Sequence, residues 1–102
     1  MAEASGLDVE VAREVMNGTT AGRGHLSTTY PSQVLAGNLQ PGFMVDLADK
    51  DMGLALEFAG RLGVPAAVGA LARQTYATAQ AEGHGRDDWT RIYLTVRRAL
   101  ER

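Results

Sequence analysis

The chain has 102 residues, of which 45% are hydrophobic, and a formal charge of −2. That length fits one small domain with a modest core, and the composition is that of a folding chain rather than a disordered one. The near-neutral charge leaves no electrostatic case for nucleic acid or an anionic membrane as partner, and the absence of cysteine excludes disulfides, thiolate catalysis and cysteine zinc sites.

The first helix is predicted over Val9–Asn17. Asp8 is its natural N-cap, because a carboxylate there accepts a free amide of the first turn. Leu7 can pack on Ala12 as a hydrophobic staple. Gly18 follows the last turn, where a left-handed residue commonly closes a helix. Gly22, Gly24, Pro31, Gly37, Pro41 and Gly42 then interrupt the chain. One or two short helices are expected there, around Gly22–Thr29 and Ser32–Leu35, with a loop through Asn38–Gly42. A long helix is predicted over Phe43–Leu62. Gly63 ends it and Pro65 opens the next, which buries Val68, Leu71, Ala72, Thr75, Tyr76 and Ala79. After the break at Gly83-His84-Gly85, a last helix starts near Asp87/Asp88 and ends near Glu101. Its stripe is Trp89, Tyr93, Val96 and Leu100. No β-branched alternation is long enough for a strand. The fold class is therefore all-α, a bundle of four or five main helices.

The long helix carries the anomaly of the chain, Asp49-Lys50-Asp51 within an apolar run. On a wheel of about 100° per residue, Phe43, Leu47, Leu54 and Phe58 form the centre of the apolar arc. Asp49 falls on the polar side. Lys50 lies at the border and can pair with Asp46 one turn back. Asp51 falls between Phe58 and Leu62, so a buried, hydrogen-bonded carboxylate that ties this helix to a neighbour is expected there, with a catalytic carboxylate as the alternative. A lysine of this kind is either a surface ion pair or a fixed cation beside an apolar wall, suited to a phosphate, a carboxylate or a polar cofactor edge.

The other candidates read as structural. His25 and His84 lack the spacing of metal ligands, and surface or loop positions are expected for both; no metal site is assigned. Gly22-Arg23-Gly24 and Gly83-His84-Gly85 follow no predicted strand and so are turns rather than phosphate loops. Ser27, Thr28 and Thr29 have no adjacent base. Asp88 reads as an N-cap. No apolar stretch reaches the roughly 20 residues of a bilayer span, and the first residues lack the order of a signal peptide. A cytoplasmic location is expected.

Taken in order, Gly6-Leu7-Asp8, Met16-Asn17-Gly18, Gly22-Arg23-Gly24, Gly42-Phe43, Asp49-Lys50-Asp51-Met52-Gly53-Leu54-Ala55-Leu56, Gly63-Val64-Pro65 and Gly83–Asp88 resemble the C-terminal domain of the β-hydroxyacid dehydrogenases. That family includes 3-hydroxyisobutyrate dehydrogenase and tartronate semialdehyde reductase. The resemblance covers nearly the whole chain, and its sharpest part is the block beginning at Lys50. It implies one all-helical domain over residues 1–102, of the kind found at the C-terminus of 6-phosphogluconate dehydrogenase. Such a domain closes the cleft of a two-domain enzyme and carries its oligomer contacts. It implies NAD or NADP as cofactor, with Lys50 near the nicotinamide end and Phe43 lining the same region. The substrate would be a small hydroxyacid or aldehyde-acid, and the assembly a homodimer or larger homo-oligomer. The family's catalytic lysine and its Gly-x-Gly-x-x-Gly strand–turn–helix have no counterpart here. The parent is thus expected to be an NAD(P)-dependent oxidoreductase, and the chain alone to be inactive. The alternative is a non-catalytic dimerisation or interaction module of the same fold.

Overall fold

The computed structural model describes residues 1–20 and 22–101, and every regular element among them is helical. Asp8 starts α1 (Val9–Asn17): its carboxylate accepts the Val11 amide at 3.0 Å. Gly18 does not adopt the left-handed conformation expected of it. Its φ is −81°, and its amide bonds the Glu14 carbonyl at 3.0 Å, so α1 tapers in right-handed turns. The left-handed glycine comes at Gly24, immediately before a π-helical turn, His25–Thr29, that runs into α2 (Tyr30–Ser32). A 3-10 turn, Val34–Ala36, follows.

The long helix, α3, spans Val45–Arg61 and so starts two residues later than its apolar pattern predicts. Phe43 and Met44 are drawn into another structure. Met44 forms an isolated antiparallel bridge with Asp88. The Val45 and Asp46 amides, free donors of the first turn, bond the Asp87 and Gly85 carbonyls at 2.9 and 2.8 Å. Residues 85–87 thus do for α3 what a capping side chain usually does. α4 spans Ala67–Ala81 and α5 spans Ile92–Arg98, with 3-10 turns at Trp89–Arg91 and Ala99–Glu101. Both long helices end in the same way. Val64 bonds Ala59 and His84 bonds Ala79, each across a left-handed glycine, Gly63 or Gly83, the arrangement that satisfies last-turn carbonyls.

The buried apolar residues among those described are Val34, Val45, Ala48, Ala59 and Ala79. Four of them lie on α3 and α4, which form the main helix pair. The large residues expected at the centre of the core are open instead: Phe43, Leu54 and Phe58 are 38, 57 and 43% exposed. Val68 and Leu71, expected to be buried on α4, are also exposed, as are Tyr93, Val96 and Leu100. Every residue of α1 except Ala12 is exposed. The radius of gyration is 15.2 Å, against about 13 Å for a close-packed chain of this length.

Candidate functional site

Asp88 is the organising residue of the N-terminal end of α3. It is 1% exposed. One carboxylate oxygen accepts the Gly42 and Phe43 amides at 3.0 and 3.3 Å. The other accepts the Thr90 amide at 3.1 Å and its hydroxyl at 2.6 Å. The N-cap role expected of Asp88 is present, as the Thr90 bond. The bonds to Gly42 and Phe43 join two segments 45 or more residues apart. The Trp89 amide in turn donates to the Phe43 carbonyl at 2.7 Å.

This junction carries a cavity of about 370 Å³, lined by His25, Phe43, Ala48, Asp51, Met52, Tyr76 and Trp89. The His25 and Tyr30 rings both meet Trp89 edge-on, at centroid separations of 5.0 and 5.3 Å. His25 therefore belongs to an aromatic cluster rather than the surface position expected for it, and its Nδ1 lies 3.1 Å from the Thr29 hydroxyl. Burial raises the Tyr30 pKa, and the charge of Asp88 raises it further. The Tyr76 phenol is raised by burial first and by Tyr30 second.

The charged triplet is distributed differently from its wheel positions. Asp51 is not embedded: its side chain is 55% exposed and its Oδ1 lies 3.4 Å from Lys50 Nζ. Lys50 does not pair with Asp46, which instead accepts from Gln80 at 2.7 Å. Asp49, expected to be solvated, is the covered one. Arg73 of α4 reaches it with Nε at 2.9 Å and a terminal nitrogen at 3.3 Å. The physical reason is the seam. Asp46, Asp49 and Gly53 lie on the side of α3 that Gln80 and Arg73 of α4 cover, while Asp51 stands at the rim of the cavity. Phe43 lines the cavity. Lys50 reaches the rim only through Asp51.

His84 lies in the loop after α4, as expected, and its ring is held there on both nitrogens. Its Nδ1 lies 3.2 Å from Asp87 and its Nε2 lies 2.7 Å from an Arg91 nitrogen. Arg91 can only donate, so the Nε2 of His84 is the acceptor in this contact and Nδ1 faces the Asp87 carboxylate. Among the described residues, no group of three or more His, Cys, Asp or Glu could hold a metal ion, and no helix is long and apolar enough to cross a membrane. Trp89, Tyr76, Met52 and His25 are site residues that sequence reasoning missed. In the sequence, the N-cap at Asp88 and the resemblance at Phe43 pointed at this corner.

Residues 1–96 match the family described as NAD-binding of NADP-dependent 3-hydroxyisobutyrate dehydrogenase, and the chain belongs to this β-hydroxyacid dehydrogenase family. The family's cofactor is NAD(P). The chain is 50% identical over 97 residues to 3-sulfolactaldehyde reductase of Escherichia coli, a match covering 95% of this chain and 33% of that protein. It is 33% identical over 88 residues to 2-(hydroxymethyl)glutarate dehydrogenase of Eubacterium barkeri, covering 85% and 29%. Mycobacterium tuberculosis 3-hydroxyisobutyrate dehydrogenase, solved with L-serine, superposes with a TM-score of 0.61 at 29% identity, covering 94% of this chain and 35% of that one. The chain thus spans about a third of the length of these relatives.

Proposed function

We propose that this chain forms one wall of the active-site cleft of an NAD(P)-dependent hydroxyacid dehydrogenase that reduces a small aldehyde bearing an acid group. One observation carries this reading. Phe43, Trp89, His25 and the Asp51–Lys50 pair converge on one cavity at the start of α3, although they come from three separate stretches of chain. The cavity suits the planar end of a nicotinamide cofactor in its chemistry: flat aromatic walls, a thioether at Met52 and charge only at the rim. Bound there, the cofactor supplies the hydride.

The chain's own residues bind, orient and exclude water. Phe43 and Trp89 offer apolar faces that shield the ring edge from solvent. Lys50 supplies a cation at the rim, free to leave Asp51 because that pair is exposed and weak. The proton-transferring lysine of the family has no counterpart in this chain, so the chain alone is inactive in this reading. The exposed apolar faces of α1, α3 and α5 are the surfaces that the rest of the enzyme and a second subunit would cover.

The name of the 50% identical relative makes 3-sulfolactaldehyde the first substrate to assay. The test joins this chain behind a dinucleotide-binding half from the family and follows NADH oxidation with 3-sulfolactaldehyde and other small aldehyde acids. Turnover that falls on Phe43→Ala and Lys50→Ala supports the proposal. A folded, dimeric chimera with no turnover would favour a non-catalytic module of the same fold.

A further inference from the structure

We propose that Asp88 is a positioning residue of this site: its carboxylate holds the Phe43 wall and the Trp89 wall of the cavity in fixed relation. The inference rests on the reading of Phe43 as a cofactor-facing residue, and it deepens that reading by naming what places it. Phe43 lies in a Pro-Gly loop with no helix to orient it, since α3 begins only at Val45. Its amide and that of Gly42 end on one oxygen of Asp88, while the other oxygen anchors the turn that starts at Trp89. Trp89 then bonds Phe43 directly, amide to carbonyl.

All four groups facing the carboxylate are donors. An ionised carboxylate, which only accepts, satisfies every one of them, whereas an amide would present its own N–H groups to one of the two pairs. Among the described residues no cation pairs with Asp88. A buried charge of this kind contributes little net stability, because desolvation offsets its bonds. What it supplies is direction: two backbone segments are locked to the two oxygens of one rigid plane.

The test uses the full chain and Asp88→Asn, read first by amide hydrogen exchange. Exchange at Gly42 and Phe43 should quicken roughly ten- to a hundredfold, the loss expected for bonds to a charged acceptor, while α3 and α4 amides keep their protection. A merely structural role would lower protection uniformly, and that result overturns the proposal. Thr90→Val, which removes only the hydroxyl bond, should leave Gly42 and Phe43 protected. Trp89 is the sole tryptophan, so its near-ultraviolet dichroism reports the second wall and should fall in Asp88→Asn. In the protein joined to a tryptophan-free dinucleotide-binding half, its fluorescence lifetime, shortened by energy transfer to added NADH, reports the ligand and should respond only at about tenfold higher NADH in that variant. If the joined protein binds NADH but shows no transfer from Trp89, the cofactor-facing reading fails, and the exchange pattern still decides the role of Asp88. Should Asp88→Asn not fold, Asp88→Glu keeps the charge and moves the oxygens by one methylene. Selective loss of protection at Gly42 and Phe43 then supports the proposal, and unchanged exchange overturns it.

Discussion

Arg73 on α4 reaches Asp49 on α3 with two guanidinium nitrogens, at 2.9 and 3.3 Å. Gly53 lies in the path of that side chain. A Cβ added there would sit 2.9 Å from the guanidinium, so the missing side chain leaves the arginine room to lie across α3. Two opposed effects are predicted for Gly53→Ala. Helix propensity favours alanine by about 1 kcal/mol, and the displaced arginine gives up part of its bond to Asp49. The variant is therefore close to neutral at low salt. Asp49→Asn lowers the thermal midpoint at low salt and does so less in 1 M salt, where the screening length is about 3 Å. A loss independent of salt would contradict the charge contribution.

Thr90 is fully buried, and its hydroxyl bond to Asp88 is the shortest of the four. Thr90→Val keeps the shape and removes the donor. The expected loss is about 1–3 kcal/mol, visible as a lower urea midpoint with an unchanged slope. Thr90→Ser, which keeps the hydroxyl, costs less. Equal losses in the two variants would show that packing rather than the bond is responsible.

Tyr30 and Tyr76 both have pKa values raised above the ordinary 10.0, in each case chiefly by burial. The sign follows. The unfolded chain ionises first as pH rises, so these phenols contribute stability that is present below pH 10 and is lost as pH climbs through the folded-state values. Alkaline unfolding followed by circular dichroism should show this fall above pH 10. Tyr76→Phe should flatten it, and an unaltered alkaline limb in that variant would count against the assignment.

Lys50 is exposed and its ion pair with Asp51 is long. Lys50→Ala should therefore leave stability within about 0.5 kcal/mol of the parent. In the protein joined to a dinucleotide-binding half, the same change should weaken NADH binding about tenfold, the scale of one charge-assisted contact. Destabilisation without any effect on binding would make Lys50 a structural residue.

Leu54, Phe58, Val68, Leu71, Val96 and Leu100 are all exposed, far more large apolar surface than a monomer usually leaves open. Light scattering over a concentration series should show self-association that grows with concentration. A monodisperse monomer throughout would contradict it.

Much of the fold is local in origin, and so legible in the sequence. Asp8 caps α1, Gly63 and Gly83 end α3 and α4, and Asp88 caps the turn at Trp89, because each depends on residues within one or two helical turns. The all-α class follows from the same periodicity. The site is legible only in part. The block around Lys50 marks the family, and Phe43 stands at the cavity, but the wheel misplaced Asp49 and Asp51 because it locates the hydrophobic centre of a helix, not the seam it packs along. That seam runs along Asp46, Asp49 and Gly53, which meet Gln80 and Arg73 of α4. The sequence by itself determined the all-α class, the order of the main helices and what family they belong to. Only the tertiary structure decided which face of α3 is covered, which charges are paired, and that a carboxylate 45 residues away holds Phe43, since each of these depends on contacts between segments distant in the chain.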